Sequence, residues 1–396
     1  MRILAISPWC PCPADNGSKT RVYQLTRALA RRHDVDFVCF ADGEPSLDLR
    51  ALDCRETTAL PRPAYARLAR PSWRDIVSPL PRVIRAGHSK LLARCVESRL
   101  RTEAYDLLVA MTWSVGRYLV RDGLPRLLDQ HNIESAILAQ EWRAAAALSR
   151  PRRRLAYEKF RRYEGRLCAA FNACAVVSDP ERARLLALEP RPVPHIGVVP
   201  NGVDTTAFEF QPDRPGAPTL LFTGPLTYPV NRDAVAFFAA EILPRVRSQV
   251  PAAQLLVTGD LGGLSRESIT RQPGVRFLGR VDDIRQVLAR SALAVAPLRF
   301  GGGTRLKILE AMASGLPVVA TPLAADGLDA RDGEHLLLRA KPQDFADAVL
   351  DLLRDRRRGA ALALAARRLV VSCYDWRDIG RRFAALAEQT ASEARR

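Results

Sequence analysis

PLRFGGGTRLKILEAMASGLPVVAT, residues 297–321, is the stretch that organises the reading of the whole chain. A short apolar run ends at Ala296, three glycines follow (Gly301, Gly302 and Gly303), and a helical pattern then predicts a helix over about 304–314. Glycines permit positive φ and close backbone approach. The helix beginning near Thr304 presents unpaired N–H groups and a positive dipole end, a ready anion site. Arg305 and Lys307 add two cations to that first turn, so a phosphate or diphosphate is the natural occupant. Glu310 stands at i+5 from Arg305 and i+3 from Lys307. A carboxylate repels phosphate, but it accepts hydrogen bonds from two vicinal hydroxyls, such as those of a ribose. Phosphate beside ribose means a nucleotide. A salt-bridged Glu310 after an ordinary turn is the plainer alternative. The strand–loop–helix context and the following Gly315-Leu316-Pro317 favour the nucleotide.

Outward from this motif, both halves of the chain repeat one rhythm: a β-branched run, a Gly/Pro/Asp loop, then a helical pattern. That alternation predicts an α/β protein with parallel sheets. Strands are expected at Arg2–Ser7, Asp34–Phe40, Asp106–Met111, Arg126–Asp129, Ala173–Ser178 and Ile196–Val199 in the first half. In the second half they are expected at Thr219–Phe222, Gln254–Thr258, Val275–Leu278, Leu293–Ala296 and Pro317–Ala320. Helices are expected at about 18–32, 83–103, 134–168, 230–247, 283–290, 343–354, 358–371 and 376–394. In the third of these, Leu155, Phe160 and Leu167 are placed toward a core. The Pro/Gly-rich stretch QPDRPGAP, 211–218, reads as a linker. The division that follows is an N-terminal Rossmann-like domain, 1–200, a C-terminal Rossmann-like domain, 201–373, and a final helical segment, 374–396.

The chain has 396 residues, 60 Lys+Arg against 43 Asp+Glu, and a formal net charge of +17. Its length suits domains of about 100–200 residues. No run reaches the roughly 18–20 apolar residues of a membrane span. The N-terminal MRILAISPWCPCPADNG lacks the pattern of a signal peptide, which places the chain in the cytoplasm with its eight cysteines reduced. Cys10 and Cys12 are poorly spaced for zinc, and no metal site is expected. Asp34 and Asp36 superficially resemble a metal motif. They open a predicted strand, at the end opposite to the one where such sites lie, and read as structural. Residues 1–200 hold 33 basic and 21 acidic residues; the span 50–101 holds 12 and four, around Ile76, Val77, Leu80, Val83 and Ile84. This charge fits an Arg-rich composition, a nucleic acid, an anionic membrane surface or a phosphate-bearing substrate. Aromatics make up only 7% and do not interleave with the Arg clusters, which disfavours nucleic acid. The first loop, SPWCPCPADNG, has one glycine and does not carry the Gly-x-Gly-x-x-Gly of a nicotinamide enzyme. His131 follows a strand end, where open α/β sheets place ligands. Lys19 and Arg21 start the first helix and either face a ligand or are solvated.

GGGTRLKIL followed by EAMASGLPVVAT resembles the donor-nucleotide signature of the glycosyltransferase family 4 enzymes, retaining, glycogen-synthase-like group 1 enzymes of the GT-B fold. PNGVD (200–204) is similar to the family's interdomain segment, and LLFTGPLTYPVNRDAV (220–235) to the first strand–loop–helix of its nucleotide domain. PADNGSKTRVYQLTRALARRHDV (13–35) and LLDQHNIES (127–135) resemble its first loop–helix and central HN segment. The resemblance implies metal-independent transfer of a sugar from a UDP- or GDP-sugar, with retention, to a lipid-linked or polysaccharide acceptor. No cofactor beyond the nucleotide sugar is implied. The donor would lie between the domains; for a lipid-linked acceptor, the basic excess around 50–101 and 150–167 would be where the chain touches an anionic membrane. Glu310 would hold the ribose, and Arg305, Lys307, Gly301–Gly303 and Thr304 the diphosphate. Gly224, Arg232, Asn201, Gly202 and Gly17 would lie near the donor, and His131 would contact the transferred sugar.

Two departures stand out. Many members have a second Glu eight residues before the ribose Glu, where this chain has Gly302, and an Arg and a Lys in the first loop of the nucleotide domain, where Pro225 stands at the usual place of the Arg. Arg232 is only a rough substitute for the latter. The alternatives are a GT-B-fold nucleotide-sugar epimerase, which needs paired acid and base carboxylates in place of an acceptor, and a basic nucleic-acid-binding protein.

Overall fold

The computed structural model describes residues 1–41, 47–62, 74–121, 123–188, 195–211, 216–303 and 306–394. They form two compact units. The first comprises Met1–Pro200 with Ile379–Arg396, and the second comprises Asn201–Asp378.

The first unit is built on seven parallel strands: β1 (Arg2–Ser7), β2 (Asp34–Ala41), β3 (Glu56–Pro61), β4 (Leu107–Ala110), β5 (Arg126–Gln130), β6 (Ala173–Val176) and β7 (His195–Val198). Their order is β3-β2-β1-β4-β5-β6-β7. The direction of winding therefore reverses between β1 and β4, and ligands of open α/β sheets gather outside the carboxyl ends at such a reversal. β1, β4, β5 and β6 are buried almost throughout, as parallel strands covered on both faces must be. β3 is a polar edge strand, ETTALP, that the hydrophobic pattern misses.

The helices of this unit are α1 (Gly17–Ala30), α2 (Arg74–Val77), α3 (Arg82–Ala86), α4 (Lys90–Thr102), α5 (Trp113–Gly116), α6 (Glu134–Arg143), α7 (Arg150–Ala169) and α8 (Asp179–Leu188). Two of the expected long helices are each divided. The 83–103 helix breaks at Gly87-His88, and Ser89 caps the new helix by accepting from the Leu92 N–H at 3.2 Å. The 134–168 helix breaks before Pro151, which is suited to a first turn. Leu155 is exposed, contrary to the expectation from its spacing; the fully buried positions of α7 begin at Phe160. The terminal helix of the chain spans Trp376–Glu393. From Ile379 on it belongs to the first unit: Leu386 packs over Gly197, Gly380 lies against Ala28, and Arg32 pairs with Glu388 at 2.9 Å.

Asp36 is fully buried and accepts from Arg55 Nε at 2.8 Å and from Tyr105 Oη at 2.7 Å. Its pairing ties three elements together, which is the structural role read from the sequence.

The second unit has β8 (Thr219–Thr223), β9 (Gln254–Thr258), β10 (Val275–Gly279), β11 (Leu293–Ala296), β12 (Val318–Ala320) and β13 (Leu337–Leu338), in the order β10-β9-β8-β11-β12-β13. Its reversal falls between β8 and β11. The expected 230–247 helix is α9 (Pro229–Phe237), a π-helical turn at Phe238–Ile242, and α10 (Leu243–Gln249). Pro244 lacks the N–H that would continue the α-helical ladder, and the wider turn stands just before it. α11 (Ile284–Ala289), α12 (Leu306–Ala313), α13 (Pro342–Arg354) and α14 (Arg356–Cys373) complete the unit.

Candidate active site

In the second unit the loops after β8 and β11 meet at the reversal point, and α12 rises from the second of them. Thr304 and Arg305 lie outside the described residues. Gly301 and Gly303 adopt φ of +108° and +77°, the left-handed backbone for which glycine is suited. Lys307 Nζ donates to Asn231 Oδ1 at 2.9 Å and sits 3.8 Å from the centre of the Phe222 ring. Asn231 in turn donates to the Pro225 carbonyl at 2.9 Å. The Lys307 ammonium, from the first turn of α12, is thus fixed against the Gly224–Pro225 loop.

Gly224 makes this approach possible. Its φ is +133°, and a Cβ there would stand 2.8 Å from Asn231 Nδ2 and 3.1 Å from Lys307 Nζ. Gly224→Ala is expected to destabilise the second unit by about 1–3 kcal/mol and to displace Lys307. Thermal unfolding and nucleotide binding would check this, and an unchanged affinity would separate Lys307 from the nucleotide.

Glu310 lies one turn beyond Lys307 on α12, partly buried, and no described group donates a hydrogen bond to its carboxylate. Burial pushes the Glu310 carboxyl up to about 7, and Lys307 offsets only part of that. A half-buried carboxylate without a donor beside a fixed ammonium is poised to receive hydroxyl donors. Arg232 lies on α9, partly buried; its neighbour Asp233 pairs with Arg299 from the glycine-rich loop. Asn201 and Gly202 are buried at the start of the unit, beside Val203, whose N–H donates to the Tyr374 carbonyl at 2.8 Å.

In the first unit, Arg21 and Asp129 form a pair that is almost completely removed from solvent. Arg21 Nη2 lies 2.6 Å from Asp129 Oδ1, Nε lies 2.9 Å from Oδ2, and Nη1 donates to the Pro200 carbonyl at 3.0 Å. This settles the reading of Arg21: it is neither solvated nor available to a ligand. Burial pushes the Asp129 carboxyl up, but the Arg21 guanidinium and the His131 ring outweigh it and hold it at about 2. His131 Nε2 is 3.2 Å from Asp129 Oδ2, off the line of a hydrogen bond. Both His131 ring nitrogens are buried without a hydrogen-bond partner among the described residues, and the Trp9 ring from the loop after β1 lies 5.8 Å away. Buried polar atoms of this kind are rare unless a ligand or water completes them. Gly17 is exposed at the first position of α1, beside the Asn16 cap; Lys19 pairs with Asp15 at 3.0 Å.

Two buried glutamates hold the segment after His131. Glu181 accepts from the Ile133 N–H at 2.6 Å, and Glu164 accepts from the N–H groups of Glu134 and Ser135 at 2.9 and 3.1 Å and from the Ser135 hydroxyl. They satisfy the open N-terminus of α6 from other helices. Burial pushes Glu164 up to about 7 in spite of these donors. Sequence reading missed both, because each looks like a surface residue of an Arg-rich helix. Glu164→Ala leaves three buried donors unpaired and is expected to cost about 3 kcal/mol in a urea titration.

Of the carboxylates that an epimerase reading would recruit, Asp15 is bound to Lys19, Asp129 to Arg21, and Glu134 accepts from Asn132 Nδ2 at 3.0 Å.

Comparison with known proteins gives these sites a family. The model described as Glycosyltransferase Family 4 matches residues 15–207, and that described as Glycosyl transferases group 1 matches residues 217–355. The chain belongs to the family 4, group 1 glycosyltransferases. A phosphatidyl-myo-inositol mannosyltransferase of Mycobacterium leprae is 36% identical over 195 residues, covering 45% of this chain and 49% of that protein. This chain therefore spans about half the length of that relative. Sucrose-phosphate synthase from Thermosynechococcus elongatus superposes with a TM-score of 0.75 at 20% identity, covering 99% of both chains. Anabaena HepE, solved in complex with UDP and glucose, superposes with a TM-score of 0.70 at 17% identity, covering 98% of this chain and 100% of that one. The fold is the GT-B fold of glycosyltransferases, α/β with two Rossmann-like units.

Proposed function

We propose that this chain transfers a sugar from a nucleotide-sugar donor to a lipid-linked or polysaccharide acceptor, with retention of anomeric configuration and without a metal. The observation that carries this reading is the pairing of a fixed ammonium, Lys307, with a donorless carboxylate, Glu310, one turn apart on α12. In this reading the carboxylate takes the ribose hydroxyls. Lys307, Arg305 and the N–H groups of Gly301–Gly303 and Thr304 take the diphosphate, with Gly224 and Arg232 beside it. As the sugar–phosphate bond breaks, negative charge grows on the departing diphosphate, and preorganised cations and N–H groups stabilise it. His131 supplies Nδ1, a buried ring nitrogen with no partner among the described residues, and a hydroxyl of the transferred sugar completes it. Asn201, Gly202 and Gly17 complete the donor's surroundings.

One relative carries phosphatidyl-myo-inositol in its name, which supports a lipid-linked acceptor, and HepE was solved with UDP and glucose, which supports a nucleotide-sugar donor. Among the described residues, no helix is long and apolar enough to cross a membrane. The N-terminal half supports peripheral attachment to an anionic bilayer. Ile76 and Val77 are 69% and 72% exposed on α2, which Lys159 holds by donating to the carbonyls of Asp75, Ile76 and Ser78 at 2.7 Å each. Apolar side chains rimmed by Arg are the composition that binds such surfaces.

Mass spectrometry of the purified protein with a panel of UDP- and GDP-sugars and a bacterial lipid extract tests the reading. Transfer requires the acceptor, releases a nucleoside diphosphate and adds one sugar mass to a lipid or glycan. A changed sugar with no acceptor present would establish the epimerase instead.

A further inference from the structure

The first unit contains a cavity of about 290 Å³ lined by His88, Ala93, Arg117, Tyr118, Val120 and Arg121. It lies where the start of α4 meets the turn after α5. Tyr118 organises it. Its hydroxyl accepts from the Ser89 N–H at 2.7 Å and lies 3.3 Å from His88 Nδ1. The His88 ring stacks on the Tyr118 ring at 5.8 Å, with 10° between the planes. The Arg117 guanidinium lies 5.5 Å from the same ring centre, steadied by its bond to the Ile84 carbonyl at 3.1 Å.

Two guanidiniums and an imidazole therefore line one cavity, and among the described residues no carboxylate lines it. The first turn of α4 adds Lys90 and no acidic residue, and its dipole has the same sign. Burial, Arg117 and Lys90 all lower the His88 pKa, as expected of an imidazole in a positive field. The volume is at the small end of ligand pockets, roughly 300–1,000 Å³, and suits a headgroup better than a whole nucleotide. The rest of the wall is apolar, made by Ala93 and by Val120, which is 43% exposed.

We infer that this cavity binds the phosphate of an anionic phospholipid headgroup, held by Arg117, Arg121 and His88, with Val120 and Ala93 against the glycerol and acyl portion. This deepens the peripheral attachment proposed above and rests on it. It goes beyond a general basic surface by naming a site with a stereochemical demand. A diester with an apolar tail fits the mixed wall, whereas free phosphate uses only its charged part.

The test uses the full chain, short-chain phosphatidylglycerol and inorganic phosphate as soluble probes, and vesicles of phosphatidylglycerol with phosphatidylcholine. The His88 ring resonance is followed by NMR against pH. Phosphatidylglycerol is expected to raise the His88 pKa by about one unit, because a bound anion favours the imidazolium. Arg121→Glu, at an exposed position, should abolish that rise and weaken vesicle co-sedimentation about tenfold while leaving the folded spectrum unchanged. A rise with inorganic phosphate but none with phosphatidylglycerol would overturn the lipid assignment. Equal vesicle binding by wild type, Arg121→Glu and His88→Ala would overturn the cavity and leave peripheral attachment standing. No binding of wild type to anionic vesicles would overturn both.

Discussion

Replacing Asp129 with Asn is expected to cost the first unit about 3–5 kcal/mol, the largest stability loss of any single change considered. Arg21 is left as a buried guanidinium with no carboxylate, and removing one member of a buried pair exposes the full desolvation cost of the other. A loss of that size is a large share of the 5–15 kcal/mol that holds a typical domain. Thermal unfolding should register it as a fall of about 10 °C in the transition of this unit. The double variant Arg21→Met/Asp129→Leu removes both charges and is expected to recover most of the loss. If it were as unstable as the sum of the single variants, the pair would not be the cause.

The same pair sets an acid limit. Asp129 titrates at about 2 in the folded unit and near 3.9 in an unfolded chain. Its contribution to stability is complete above about pH 5 and is lost progressively as pH falls through about 4 toward about 1.

Glu310→Ala is expected to weaken nucleotide-sugar binding by a hundredfold or more. Two hydroxyl donors to one carboxylate are each worth about 1.5–3 kcal/mol, and 1.4 kcal/mol is tenfold. The pH dependence is a sharper signature. The free carboxyl titrates at about 7, and donation from a ribose diol favours its charged form. Binding therefore expels a proton. Affinity should rise with pH up to about 7, approaching tenfold per unit at the steepest, and level off above it. A nucleotide sugar is the right probe, since its diphosphate carries no proton in this range. Glu310→Gln should bind weakly at every pH, with the slope gone. Calorimetry from pH 5.5 to 8.5 measures both, and a flat wild-type profile would remove Glu310 from the ribose.

Much of this was open to sequence reading because the signals are local. The strand–glycine–helix grammar of 297–321 needs no distant contact, and Lys307 and Glu310 share a face simply by being i and i+3 on one helix. The parallel strands were legible as β-branched runs with loops at their ends. What stayed hidden depends on partners far along the chain. Arg21 reads as a surface charge at a helix start until Asp129, 108 positions later, is seen against it. Asn231 reads as a loop residue until Lys307 reaches it across 76 positions. Glu164 reads as the solvated half of an Arg-rich helix until the N-terminus of α6 is found above it. β3 escaped notice because an edge strand is half polar and leaves little periodicity to detect.

The division of α9 from α10 shows a second limit. Hydrophobic spacing runs unbroken through 230–247, and only the missing N–H of Pro244 gives warning of the π turn before it. The divided 83–103 helix is similar, with Gly87 as the sole local warning. That division creates the turn that carries His88, so the cavity beside Tyr118 could not be foreseen from spacing.

A crystal structure of the chain with an intact nucleotide sugar tests the reading most directly. The predicted result is a ribose whose two hydroxyls lie within hydrogen-bonding distance of the Glu310 carboxylate. Its diphosphate should rest against Lys307 and the N–H groups of the Gly301–Gly303 loop. A nucleotide bound elsewhere, or one at this site that leaves Glu310 without a hydroxyl partner, would contradict it.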